Sequence, residues 1–221
     1  MEAEVYDVDA THPMAAAIDR AVGVLKAGGL VLFPSDTVYV LASLARTGST
    51  VSGGLGRLFA LKNRGRGPSF PWLVPDAASL DVYGTDVTQQ ARALAGALWP
   101  GGLAVVVRAS SAVPRVLARE DGTVSLRCSA SPISSGLIRA CGLPLVSTGA
   151  APHGQAAPCE FSGVEADVLS AVDFAIRDER IVCPGRSTII DCTTREPRVL
   201  REGIVSHDQI KRALGMEVSL V

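Results

Sequence analysis

The sequence predicts an α/β fold built on a mixed sheet, on three observations. Short apolar runs of strand character recur at 30–33, 103–107, 123–127, 145–146 and 187–191. Stretches with apolar residues three and four apart stand between some of them, at 13–27, 87–98 and 133–141, the period of a helix with one buried face. Several strand-like runs are separated by loops alone, which favours a mixed sheet over a purely doubly wound one.

The first helix, 13–27, carries Ile18, Val22 and Leu25, follows Thr11 as a cap and stops at Gly28-Gly29. Residues 30–33 read as a buried strand. Residues 51–61 hold Leu55, Leu58 and Leu61, a helix diluted by glycines. A short strand is expected at 70–74, then a helix at 87–98 closed by Pro100-Gly101-Gly102. Strands follow at 103–107 and 123–127, the second alternating, then a helix at 133–141 ending at Gly142. A strand begins at 145–146, and 164–172 reads as helical. Strands at 187–191 and 198–200 precede a last helix, capped by Ser206 and running to Leu214.

The chain has 221 residues, 48% of them hydrophobic, enough for one sizeable core. No repeat, low-complexity segment or long linker divides it, so a single domain over 1–221 is expected. A net charge of −1 supplies no overall field for nucleic acid or membrane. The apolar runs are far shorter than a membrane span. The N-terminus is acidic and unlike a signal peptide. A soluble, cytoplasmic protein with no membrane contact is the expectation. Five cysteines without a C-x-x-C pair and three scattered histidines suggest neither a disulfide framework nor a metal cage. Any metal is expected to arrive with a substrate phosphate.

Four polar groups sit at the ends of strand candidates. They are Ser35, Asp36, Thr37 and Tyr39 in F-P-S-D-T-V-Y; Lys62, Arg64 and Arg66 in L-K-N-R-G-R-G; Arg127 with Ser147, Thr148 and Gly149; and Arg186, Ser187 and Thr188 with Arg201. Each alone also reads as a turn, a solvated loop or a strand end. Together they suit an anion: Arg is a planar fork, Lys a compact charge, and glycine lets backbone N–H groups approach a phosphate. Neither the P-loop pattern nor the dinucleotide fingerprint is present. No Ser-His-Asp or Cys-His arrangement follows from the spacing.

Seven segments in order, F-P-S-D-T-V-Y, L-K-N-R, L-W-P-G-G-L, V-S-L-R, P-L-V-S-T-G-A, S-T-I-I-D and V-L-R-E-G, resemble the YrdC-like family, whose best-known members are threonylcarbamoyl-AMP synthases. The resemblance covers about 15–203. It implies a twisted, mostly parallel α/β sheet flanked by helices around a deep, positively lined cavity. It implies a nucleotidyltransferase that joins ATP, L-threonine and bicarbonate into threonylcarbamoyl-adenylate and pyrophosphate, with Mg²⁺ carried by ATP. The product would feed N6-threonylcarbamoyladenosine formation at position 37 of tRNA, through a separate transferase and with at most weak RNA contact by this chain. By the same resemblance Lys62 and Arg64 are catalytic. Lys62, Arg64, Arg127, Ser147, Thr148, Ser187 and Arg201 bind ATP and its phosphates. Ser35, Thr37, Tyr39, Arg64 and Ser187 bind the amino acid.

The sequence departs from the family pattern at Ser35, Val40, Ala104 and Ser129, and most sharply at Gly149 and Ala151, where the family has a Ser and an Asn on the nucleotide. A hydrogen bond lost to a charged ligand group is worth about 1.5–3 kcal/mol. His153 is the nearest polar side chain placed to substitute. Two further readings therefore stand beside the first: another carbamoylation or adenylation in small-molecule biosynthesis, and a non-catalytic nucleotide- or RNA-binding relative.

Overall fold

The computed structural model describes residues 3–9, 14–46, 51–62, 70–181 and 183–220. The strands are β1 (Glu4–Asp7), β2 (Val31–Pro34), β3 (Tyr39–Leu44), β4 (Trp72–Leu73), β5 (Gly84–Thr85), β6 (Leu103–Ala109), β7 (Thr123–Arg127), β8 (Leu145–Gly149), β9 (Phe174–Arg177), β10 (Thr188–Asp191), β11 (Arg198–Arg201) and β12 (Ser219–Leu220). They form one 12-stranded sheet in the order β1-β9-β2-β3-β8-β4-β7-β6-β10-β11-β12, with β5 paired to β6. Neighbours are parallel at β1–β9, β9–β2, β4–β7, β6–β10 and β11–β12. The other pairs are antiparallel. This is the mixed α/β sheet expected.

The helices are α1 (Met14–Lys26), α2 (Gly53–Leu61), α3 (Ser79–Tyr83), α4 (Gln89–Leu98), α5 (Pro132–Cys141), α6 (Ala166–Ala171) and α7 (His207–Leu214). Their ends follow local chemistry. Thr88 caps α4 and Ser131 caps α5, each hydroxyl accepting a backbone N–H three residues on. Ser206 and Gln209 form a capping box on α7, and Gly142 and Gly215 close α5 and α7 in the left-handed conformation. Thr11 lies outside the described residues.

Two cores hold the layers. On one face α1 and α5 pack together, burying Ala17, Ala21 and Leu25 with Ile133 and Leu137 against Val31, Phe33, Ala42 and Leu145. The buried stripe of α1 is thus set one position off Ile18 and Val22, which are only partly covered. On the other face Leu58, Leu94 and Ile210 of α2, α4 and α7 cover Leu41, Trp72, Leu126 and Ile190. Beyond β4 the first face is no longer covered by α1 and α5. The register there places Asp191, Val106 and Ser125 in one row across β10, β6 and β7. Ile189, Ala104 and Arg127 form the next row, since Ile189 faces Ala104 and Val105 faces Leu126.

Several elements exceed the expectation. Residues 39–44 form β3, a hairpin partner of β2 with Pro34 opposite Tyr39. Phe174–Arg177 is a buried strand, β9, just past the helix expected at 164–172, which shortens to α6. The edge strand β1 shows only exposed or partly exposed positions, so its residues carry no apolar period.

Helix α2 rests on the turn before β2. Gly54 N–H donates to Gly28 O at 2.9 Å, and a Cβ on Gly54 would lie 2.3 Å from the Gly29 carbonyl carbon. Backbone cannot yield as a side-chain tip does. Gly54→Ala is expected to destabilise the fold by about 1–3 kcal/mol, as overpacking does. The check is the midpoint of urea unfolding at unchanged slope; an unshifted midpoint refutes the close approach.

Candidate functional site

A cavity of about 690 Å³ opens where β3 and β4 begin and β8 ends, and runs over the uncovered rows of β7 and β10. Five cations line it, Lys62, Arg119, Arg127, Arg186 and Arg201. No Asp or Glu is among the lining residues described. Cation-rich walls of low dielectric focus positive potential on whatever enters.

Arg127 is the best-fixed of these. Its residue is 4% exposed. Nε donates to Gly101 O at 2.9 Å, Nη1 to Thr37 Oγ1 at 2.8 Å and Nη2 to Asp36 Oδ1 at 2.6 Å. Burial pulls its pKa down, against the opposing pull of Asp36. Ser129 Oγ also donates to Asp36 Oδ1. Three N–H donors are committed to the protein, and two of the five remain for a ligand. Asp36 is not a lining residue; it balances the buried guanidinium from behind.

Arg201 is different. Its Nη2 donates to Ser187 O at 2.8 Å and to Ser187 Oγ at 3.0 Å. Arg186 donates to the backbone carbonyl of Glu202. Among the described residues neither arginine forms an ion pair with a carboxylate. Burial lowers the Arg201 pKa first, and the like charges of Arg186 and Arg127 lower it further. This is the electrostatics of a site prepared for an anion.

Lys62 follows α2 and is 7% exposed; its Nζ donates to the carbonyl of Ala151. Ser147, Thr148 and Gly149 at the end of β8 line the wall, with Ser147 Oγ donating to Pro71 O at 3.1 Å. Residues 152–157 and Cys159 form a rim that includes exposed His153 and Gln155. Gly149 has a tight neighbour: a Cβ there would meet the Ala157 Cβ at 2.6 Å. Ala151 is 3% exposed and contributes its carbonyl, not its side chain.

Of the residues expected from sequence, the fold brings Thr37, Lys62, Arg127, Ser147, Thr148, Ser187 and Arg201 to one cavity. Arg64 lies outside the described residues, as does Arg66. Ser35 and Tyr39 do not line it. Ser35 is fully buried in the hairpin turn, its Oγ 3.0 Å from Thr37 Oγ1 and donating to Val38 O; it holds Thr37 in place. Tyr39 is 1% exposed and points to the opposite face, into the core beside Phe161 with ring centroids 5.9 Å apart. The cause is strand parity: Val40, one residue on, is the one that faces the cavity. Sequence reasoning missed Arg119 and Ser125 and left Arg186 out of the assigned ligands. The alternation of T-V-S-L-R was a usable signal for Ser125, since it shares a face with Arg127.

The fold and site define a class: an α/β protein with a guanidinium-lined cavity on one face of its mixed sheet. The family model for Sua5, YciO and YrdC, described as "Telomere recombination", matches residues 23–203, and the chain belongs to that family. A Mycobacterium tuberculosis relative is 31% identical over 216 residues, covering 98% of this chain and 97% of its own; its name, threonylcarbamoyl-AMP synthase, is provisional. The Pyrococcus abyssi threonylcarbamoyl-AMP synthase is 30% identical over 88% of this chain, which spans 56% of that protein. The solved P. abyssi Sua5 complexed with L-threonine superposes with a TM-score of 0.87 at 26% identity, over 100% of this chain and 63% of that one. Escherichia coli YciO shares the fold, with a TM-score of 0.81 at 23% identity over 94% of this chain and 99% of its own. No helix of the described residues is long and apolar enough to cross a membrane.

Two outcomes follow. Asp36→Ala strands the buried Arg127 and is expected to cost about 3–5 kcal/mol, the penalty for removing one partner of a buried pair. Thermal melting checks it; a loss no larger than that of an exposed pair would refute the assignment. The second concerns Tyr39, whose buried hydroxyl makes no hydrogen bond of good geometry and whose pKa burial pushes up to about 12, against a weaker opposing pull from the backbone of Asp178. An unfolded tyrosine ionises near 10. Above about pH 10 the unfolded chain releases this proton and the folded one keeps it, so stability falls as pH rises from about 10 to about 12. Unfolding midpoints of wild type and Tyr39→Phe should diverge over that window. Parallel curves would place the hydroxyl in water.

Proposed function

We propose that the chain is a nucleotidyltransferase of the threonylcarbamoyl-AMP synthase type, taking ATP, L-threonine and bicarbonate and releasing pyrophosphate. The observation that carries this is a cavity lined, among the described residues, by five cations and no carboxylate. A carbamate and a triphosphate are both anions, and their approach requires fixed positive charge between them. In this reading the threonine amine attacks carbon dioxide or activated bicarbonate and loses a proton, giving a carbamate. A carbamate oxygen then attacks the α-phosphorus, and the bond to the pyrophosphate oxygen breaks. Arg201 and Arg186, with neutral partners only, hold the phosphates; Lys62 takes a phosphate oxygen as its hold on Ala151 O is released. Arg64 is assigned to the same phosphates by resemblance. Arg127 orients Thr37 toward the amino acid and adds charge. Ser187 and Ser147 offer hydroxyls. Residues 152–159 restrict water, which protects a labile carbamate.

Mg²⁺ fits this wall only as a passenger. The described lining offers hydroxyls and carbonyls but no carboxylate, so phosphate oxygens would supply its main ligands. It would neutralise charge on the leaving pyrophosphate. Delivery of the product to a tRNA-modifying transferase in the cytoplasm belongs to the same proposal.

A second reading, adenylation or carbamoylation of another substrate, is favoured by one observation. Positions 149 and 151, at and just past the end of β8, offer no polar side chain, and Ala157 occupies the space that a side chain at 149 needs. The test is incubation with ATP, Mg²⁺, labelled bicarbonate and a panel of amino acids, following pyrophosphate and labelled adenylate. Threonine-dependent product that drops at least tenfold in Arg201→Ala supports the first reading; product with another amino acid supports the second. No product with any amino acid defeats both. Gly149→Ser with Ala151→Asn is expected to lower ATP binding, and adding Ala157→Gly to restore it. A gain in the double variant alone contradicts the packing of this rim.

A further inference from the structure

Ser125 lies at the centre of β7, on the cavity face and one row along the strand from Arg127. It is 4% exposed, and its Oγ has no hydrogen-bond partner. A buried hydroxyl without a partner costs about 1–3 kcal/mol, so a strand centre is an expensive place to leave one. Arg119 lines the same cavity, and with Asp121, Thr123 and Asp191 it also lines a second cleft. A tight turn positions it: Arg119 N–H donates to Thr123 O at 2.9 Å, and Gly122 N–H donates to Arg119 O at 3.0 Å. Its Nε is buried and makes no hydrogen bond of good geometry; Asp121 Oδ2 stands 3.4 Å away. The two donors belong to segments that line one cavity, and neither is a residue that the family resemblance assigns to a ligand.

We propose that Ser125 and Arg119 form a second oxyanion subsite in this cavity, separate from the one served by Arg201, Arg186 and Ser187. A hydroxyl donor beside a guanidinium is matched to a phosphoryl or carboxylate oxygen. Two residues along a strand span about 7 Å, so the subsite is displaced from Arg127 by about the reach of a short polyphosphate or of an amino acid. The subsite rests on the proposed function for its occupant, which is either the pyrophosphate end of ATP or the carboxylate of the amino acid. Charge explains why it is separate. Arg127 is already balanced by Asp36 at 2.6 Å, whereas Arg119 has only the longer contact to a carboxylate that is itself largely exposed.

The test is calorimetric titration of the full chain with inorganic pyrophosphate, AMP and L-threonine, in wild type, Ser125→Ala and Arg119→Gln. Ser125→Ala removes one oxygen and fills the same space, so it keeps the proposal testable if the Arg119 variant does not fold. A tenfold or greater loss of pyrophosphate affinity in Ser125→Ala, with AMP unchanged, assigns the subsite to the leaving group. The same loss for L-threonine, with pyrophosphate unchanged, assigns it to the amino acid. Unchanged affinity for all three ligands in Ser125→Ala overturns the subsite, even where the wild type turns over ATP. Wild-type binding of pyrophosphate that depends on Ser125, without any adenylate product, keeps the subsite and rejects the proposed function. Wild type that binds none of the three ligands rejects both.

Discussion

A single buried guanidinium joins the parts of this molecule that matter to its site. Arg127 ends β7, yet its three bonds reach the hairpin turn at Asp36 and Thr37 and the main chain at Gly101. Those contacts are 26, 90 and 91 residues away in sequence. An arginine carries a fixed planar fork, so satisfying three of its donors fixes the relative position of the three segments. A lysine offers no such fork. Ser129 completes the arrangement by donating to the same Asp36 oxygen, at one of the positions where the sequence leaves the family pattern.

The rest of the cavity is arranged around that fixed point by contrast. Arg127 is charge-balanced and immobile, which suits a frame. Arg201 and Arg186 have carbonyls and a hydroxyl for company. They carry positive charge that the protein leaves uncompensated, a cost to folding that a bound anion offsets. Arg201 feels this directly, since burial and its two arginine neighbours all lower its pKa. The division between a framing arginine and ligand-facing arginines does not appear in the residue types. It arises because Asp36 is brought behind Arg127 and no carboxylate of the described residues is paired with Arg201 or Arg186.

The rim shows how a departure in sequence becomes a change of shape. Gly149 and Ala151 look like plain losses of hydrogen-bonding groups. In the fold the space beside Gly149 belongs to Ala157, while Tyr39 N–H donates to Pro158 O at 2.9 Å and tethers the rim to β3. Reversing one departure without its packing partner would therefore produce a clash.

The sequence by itself determined the element types with strong local causes and the cationic and hydroxyl character of the candidate site. Helices α1, α4, α5 and α7 were legible because caps, apolar spacing and terminal glycines act within a few residues. The arginines, lysine and hydroxyls at strand ends were legible as a candidate site suited to an anion. What tertiary structure alone decided is which side chains line the cavity. Side chains alternate across a strand, so Tyr39 enters the core while Val40 and Thr37 meet the cavity, and Ser125 joins Arg127. Which face is open depends on where α1 and α5 stop covering the sheet, a packing event between segments more than a hundred residues apart. The edge strands β1 and β12 and the buried β9 escaped local reading for the same reason: pairing with distant strands, not their own period, makes them strands.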